Sequence, residues 1–151
     1  MKKKAPVYLP PDKNIVPAGK NNEFYDTSIR DLILDKSIIF VYDSDYANSC
    51  YSGSAKIAKE KYGAKARKNR GYNGNAYGIP TRDEYKIPLP FDVVEHYIQE
   101  FVRETQKGKN TFFVTAITSG LHHYPTHEIA KCFKGAQYCW FPEMWLPEII
   151  S

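Results

Sequence analysis

Apolar and polar positions along this 151-residue chain alternate between two rhythms. Ile38–Phe40–Val41–Tyr42 lies in an unbroken apolar run, the pattern of a strand buried on both faces, and Gly53 to Tyr62 then reads as a helix closed by Gly63. A loop holding Gly71, Gly74 and Asn75 leads to a short strand, Ala76 to Pro80. After Pro88–Leu89–Pro90, Val94, Tyr97, Ile98, Phe101 and Val102 recur at helical spacing, which predicts an amphipathic helix to about Lys107. Thr111 to Ile117 reads as a second central strand, Thr126 to Phe133 as a short helix and Gln137 to Phe141 as a final strand. Strands alternating with helices predict an α/β fold: a three-layer arrangement of a parallel or mixed sheet with helices on both faces.

Residues 1–36 break that rhythm. Pro6, Pro10, Pro11 and Pro17, with Gly19 and Asn21–Asn22, punctuate a stretch with few recurring apolar positions. This predicts an N-terminal arm (1–36), with a short helix within Asp26 to Leu34, ahead of one α/β domain (37–151). The arm is suited to wrapping the core or pairing with a second copy, which leaves room for a homo-oligomer. No repeat or low-complexity tract interrupts the chain.

The length suits one ordinary domain, and 42% hydrophobic residues suffice for a real core. Net charge is +4, but Lys2 to Lys4 and the Lys56–Arg70 stretch supply much of the excess, so nucleic acid is disfavoured as a partner. No run reaches the length of a membrane span, and Met1–Lys2–Lys3–Lys4 precedes Ala5–Pro6 instead of an apolar signal core. A soluble, cytoplasmic protein is expected. Cys50, Cys132 and Cys139 form an odd set without close pairing, which fits reduced thiols.

Ligands of open α/β sheets sit at the carboxyl ends of strands, so chemistry is sought in the loops that follow the two central strands. The first offers Asp43, Ser44, Asp45, Ser52, Gly53 and Ser54; the second offers Thr118, Ser119, Gly120, His122 and His123. Small residues and backbone N–H groups at a helix start are suited to phosphate oxygens. Asp43 and Asp45 are suited to ribose hydroxyls or a base amine, and would repel phosphate. Arg82, beside Asp83 just after the Ala76–Pro80 strand, is either a ligand clamp or half of a surface ion pair. Neither the dinucleotide fingerprint nor the phosphate loop ending in Lys–Ser/Thr is present, and no bound cofactor is expected. His123 and His127 are four apart, yet Pro125 falls between them, so metal ranks below hydrogen-bonded histidines. Cys50 lies in the first loop, with no neighbour in the sequence to activate it. The 12 tyrosines offer flat surfaces for a nucleobase, though most are expected in the core.

Several stretches together carry a resemblance: the aliphatic–Phe–Val strand before a Ser-containing loop, Gly74–Asn75–Ala76–Tyr77–Gly78–Ile79–Pro80–Thr81–Arg82–Asp83, Phe113–Val114–Thr115–Ala116–Ile117, Gly120–Leu121, Glu128–Ile129–Ala130 and Phe141–Pro142–Glu143. Over about residues 38–145 the chain resembles a family of small phage and prophage proteins, and its two loops are similar to the phosphate-gripping loops of macrodomains. That resemblance implies a macrodomain-like or Rossmann-like topology and an anti-defence role in a host cytoplasm. The implied activity is capture of a small nucleotide such as ADP-ribose or a cyclic ADP-ribose, an immune signal made from NAD. The chain departs from the family at Asp43–Ser44–Asp45, at Ser49–Cys50–Tyr51–Ser52–Gly53 and at His122–His123.

Two alternatives stand beside capture. One is a hydrolase of an ADP-ribosyl or N-glycosidic bond, with Asp43 or Asp45 positioning water and His122 or His123 as acid or base. The other is nucleic-acid binding through Lys56, Lys59, Lys61, Lys65, Arg67, Lys68 and Arg70.

Overall fold

The structure is a computed structural model that describes residues 14–15, 18–27, 33–34, 37–47, 53–116 and 124–150. Its elements run β1 (Asn14–Ile15), β2 (Glu23–Tyr25), β3 (Ile33–Leu34), β4 (Ile38–Asp45), α1 (Gly53–Lys61), β5 (Gly71–Asn73), β6 (Ala76–Arg82), α2 (Phe91–Thr105), β7 (Thr111–Val114), α3 (Thr126–Cys132), β8 (Cys139–Pro142), a single 3-10 turn (Glu143–Trp145) and α4 (Leu146–Ile150). Six strands form one mixed sheet in the order β2–β8–β7–β4–β6–β5, and β1 pairs with β3 separately. All pairings in the main sheet are parallel except β5–β6, a hairpin.

β4 is central because every one of its residues is buried, so both its faces need covering. Alternation sends its side chains to two separate cores. Ile39 and Val41 join Tyr77, Ile79, Phe112, Val114 and Phe141 beneath α2, α3 and α4. Ile38, Phe40 and Tyr42 join Phe113 and Trp140 against Ala55 and Ala58 of α1, with Ala18 and Tyr25 on the same face. Helices therefore pack on both faces of the sheet, as the strand–helix alternation predicts. The larger core is held by edge-to-face rings: Phe101 lies 5.0 Å from Phe112 and 5.9 Å from Phe133.

α2 buries Val94, Ile98, Phe101 and Val102 of the stripe that its sequence spacing predicts, with Tyr97 only half-buried and Thr105 buried in addition, and it begins after Pro90 with Asp92 in its first turn. Several elements differ from expectation. β7 ends at Val114, shorter than the reading to Ile117, and β8 begins two residues late, at Cys139. Gly71–Asn73, read as loop, is a strand, because the Gly74 turn folds it back onto β6. Ile33–Leu34 forms a parallel bridge to Asn14–Ile15 where a helix was expected, its backbone paired across the chain instead of within a helical turn. Residues 28–32 of that helix lie outside the described residues.

The segment read as an arm also contributes an edge to the main sheet. β2 pairs with β8, the Tyr25 ring stacks on Phe113 at 4.3 Å, and the Tyr25 hydroxyl donates to the Val114 carbonyl at 2.6 Å. Asn22 fastens the same place, its Oδ1 accepting from Cys139 N at 2.9 Å and its Nδ2 donating to the Ala136 carbonyl at 2.8 Å.

Candidate functional site

β4 does not stop where its apolar run stops. Asp43, Ser44 and Asp45 prolong it because β6 continues alongside, pairing Asp43 with Ile79 and Ser44 with Pro80, and, after an irregularity, Asp45 with Arg82. Two carboxyl groups are carried by this pairing into the protein, with Asp43 8% and Asp45 4% exposed. Burying an unpaired carboxylate is costly, so each needs local compensation.

Ser54 and Arg82 compensate Asp43. The Ser54 hydroxyl donates to Asp43 Oδ1 at 2.5 Å and accepts from Asp43 N at 3.1 Å, tying the first turn of α1 to the end of β4. Arg82 Nη2 stands 3.6 Å from Asp43 Oδ2. Burial nonetheless pushes the Asp43 carboxyl above the ordinary carboxylate range, against the pull of Ser54 and Arg82 in the other direction. For Asp45 the counter-ion is Lys86, with Nζ 2.8 Å from Oδ2. Lys86 has a positive φ of 68° in the turn after β6. That turn is organised by Asp83, whose Oδ1 accepts from Tyr85 N at 2.8 Å and Ile87 N at 2.9 Å. Asp83 is thus a turn former, and Arg82 faces Asp43.

Not every demand is met: Asp45 Oδ1 and Arg82 Nε are buried without a hydrogen-bond partner among the described residues. An acceptor and a donor, on residues that are cross-strand neighbours, are thereby left available at the carboxyl rim of the sheet. Beside them Tyr46 N donates to the Arg82 carbonyl at 3.0 Å, and the hydroxyls of Tyr46 and Tyr97 lie 3.0 Å apart. That contact, more than burial, raises the Tyr46 hydroxyl to about 12.

The chain leaves β7 at this same rim. β4 and β7 are parallel neighbours, from Ile38 opposite Thr111 to Val41 opposite Val114, and both Thr115 N and Thr115 Oγ1 donate to the Val41 carbonyl, at 3.2 and 2.7 Å. From β4 the chain passes through α1 on one face to β6. From β7 it passes through α3 on the other face to β8, on the far side of β7. The two connections diverge, which in open α/β sheets leaves a crevice between them.

Of the sequence-derived site residues, Asp43, Asp45, Ser54 and Arg82 are brought together, with Gly53 opening α1 at a φ of 62°. Ser44 is turned away; its hydroxyl donates to the Asn69 carbonyl in the segment after α1. Ser52, Thr118, Ser119, Gly120, His122 and His123 lie outside the described residues, as does Cys50. Lys86 escaped the sequence reading, since a lysine four residues beyond a strand carries no signal until the turn folds it back. Arg70 in the basic stretch is held by Glu100 at 2.9 and 2.5 Å and lies 5.2 Å over the Tyr97 ring, whereas Lys56, Lys59 and Lys61 are exposed on α1.

Among the described residues no three His, Cys, Asp or Glu side chains cluster to hold a metal, and His127 stands 3.3 Å from Glu128 at the surface. Burial raises the Cys132 thiol to about 11 and Cys139 well above its usual range, so neither is a ready nucleophile. No helix among the described residues is long and apolar enough to cross a membrane. No family model matches the chain, and comparison with curated proteins and with solved structures likewise finds no match.

Proposed function

We propose that the carboxyl rim between β4 and β7 captures a small nucleotide of the ADP-ribose or cyclic ADP-ribose class, in the manner of a macrodomain-like phage protein that sequesters an NAD-derived immune signal. One observation carries the reading. At the carboxyl end of β4, on its β6 side and next to where the connections of β4 and β7 part, Asp45 Oδ1 and Arg82 Nε are buried with their hydrogen-bonding capacity unspent among the described residues. A ribosylated nucleotide supplies what both lack, with hydroxyl or amine donors for Asp45 and phosphate or carbonyl acceptors for Arg82. In the described part of the rim Asp43 and Asp45 are matched by Arg82 and Lys86; the carboxyls suit sugar hydroxyls and base amines, and phosphate is left to Arg82 and backbone N–H groups.

Calorimetry with ADP-ribose and with cyclic ADP-ribose isomers tests capture. Expected are saturable heats with one of them, weakened by Arg82→Gln, and intact nucleotide recovered when the complex is denatured. Absence of heat with every member of the panel defeats the proposal.

A hydrolase is the second reading, and the raised Asp43 carboxyl favours it, because an acid that keeps its proton at higher pH is able to donate it to a leaving group. Its signature is product formation that Asp43→Asn abolishes while nucleotide still binds.

A further inference from the structure

The amino ends of β4, β6, β7 and β8 lie at the opposite rim of the sheet, and there they line an open, solvent-facing cavity of about 380 Å³. The volume lies within the range of small-molecule sites. Its walls are mixed: Ile39 and Ala18 supply an apolar side, and Asn75, Asn110, Lys109 and Tyr138 supply polar groups. Among the described residues that line it there is no carboxylate.

Two features set this cavity apart from an ordinary gap between loops. The first is Tyr138, whose φ of 60° puts an aromatic residue in the left-handed region that glycine occupies without strain. Its backbone is held there by Phe112 N, which donates to the Tyr138 carbonyl at 2.8 Å. Glycine would make that bond as well; what tyrosine adds is a ring, set close to Gly108 and forming a wall of the cavity. The second feature is charge. Lys109 has no ion pair among the described residues, and Glu104, whose field reaches it, is already engaged by Lys107 at 3.0 Å and by the Tyr72 hydroxyl at 2.9 Å. The side-chain amides of Asn75 and Asn110 donate to the Ile38 carbonyl at 3.2 Å and to the Tyr72 hydroxyl at 3.0 Å, and each carries a second N–H.

We infer that this amino-rim cavity is a second ligand site, separate from the carboxyl rim, which takes a small aromatic anion. The acidic head, a carboxylate or a phosphate, is met by Lys109 and the asparagine amides, and the ring lies against Tyr138 and Ile39.

The test is an NMR titration of the full-length protein with benzoate, 4-hydroxybenzoate and phenyl phosphate, which separates carboxylate from phosphate heads. Expected are saturable shifts of the Asn75, Lys109 and Tyr138 amides with at least one of the three, and no movement at Asp43 or Ser54. Lys109→Gln, a change at an exposed side chain, weakens binding by about tenfold without altering the melting temperature. Tyr138→Gly relieves the backbone while removing the ring, so it abolishes the shifts in a protein that remains folded. The inference is overturned by the lack of any saturable shift, by binding that Lys109→Gln leaves unchanged, or by shifts confined to the carboxyl rim. Failure here leaves nucleotide capture at the other rim untouched, and the reverse also holds.

Discussion

Ser54→Ala probes the joint on which the carboxyl rim depends. The substitution deletes two hydrogen bonds at once, the hydroxyl donated to Asp43 Oδ1 and the one accepted from Asp43 N. A bond to an ionised partner contributes about 1.5–3 kcal/mol and a neutral one about 1 kcal/mol. Alanine's better helix propensity returns about 0.5 kcal/mol. The expected loss at neutral pH is therefore about 2–3.5 kcal/mol, or about 4–14 °C in melting temperature for a domain of this size. Urea denaturation monitored by tryptophan fluorescence and by circular dichroism measures it, and coincident transitions establish that a single free energy applies. A double-mutant cycle with Asp43→Asn isolates the pair, with an expected coupling of about 1 kcal/mol or more. A loss below about 0.5 kcal/mol, or strict additivity of the two substitutions, refutes the reasoning: Ser54 would then be packing beside Asp43 and not holding it.

The same carboxyl sets a pH dependence. Because its folded pKa lies above its unfolded one, the native state binds the Asp43 proton more tightly, and stability from this group is full at low pH and declines as pH rises through the folded pKa. Asp43→Asn removes that decline, so chemical denaturation from acid to neutral pH should show the variant gaining on the parent; parallel curves count against the assignment. Gly74 and Gly71 both have positive φ, 63° and 79°, but a Cβ on Gly74 would sit 2.3 Å from the Gly63 carbonyl oxygen while one on Gly71 meets nothing within 4 Å. Gly71→Ala should cost about 1–2 kcal/mol of unfolding free energy and Gly74→Ala clearly more, with equal losses contradicting the steric argument. Phe101→Ala, which empties the junction of Tyr77, Phe112 and Phe133, should destabilise by about 3–5 kcal/mol in the same assay.

Legibility from sequence follows how local the determining physics is. The Ile38–Tyr42 run and the α2 stripe are readable because burial on two faces, or on one, is written into consecutive residues. β5 is not, since Gly71 and Asn73 are poor strand formers and owe their state to the hairpin with β6. β2 sits among glycine, asparagine and proline, and its place in the sheet comes from β8, more than a hundred residues away. Asp43 and Asp45 were legible as candidates but read as loop. Their burial rests on β6 running beside them and on Ser54, Arg82 and Lys86 arriving from three other positions in the chain. The amino-rim cavity left no trace in the sequence, because Ala18, Asn75, Lys109 and Tyr138 come from separate segments and acquire meaning only when the strands align.

The pairing of β2 with β8 has a bearing on biosynthesis. Asn22 and Cys139, joined through a side-chain hydrogen bond, are 117 positions apart, and the strands they flank are neighbours in the sheet. During translation the amino-terminal edge strand has no partner until β8 has left the ribosome, so it waits with its backbone unpaired while the interior strands assemble. Closure of that edge is then a late event with a large loop entropy, and a chain stalled before β8 exposes the flank of β7 to other nascent chains.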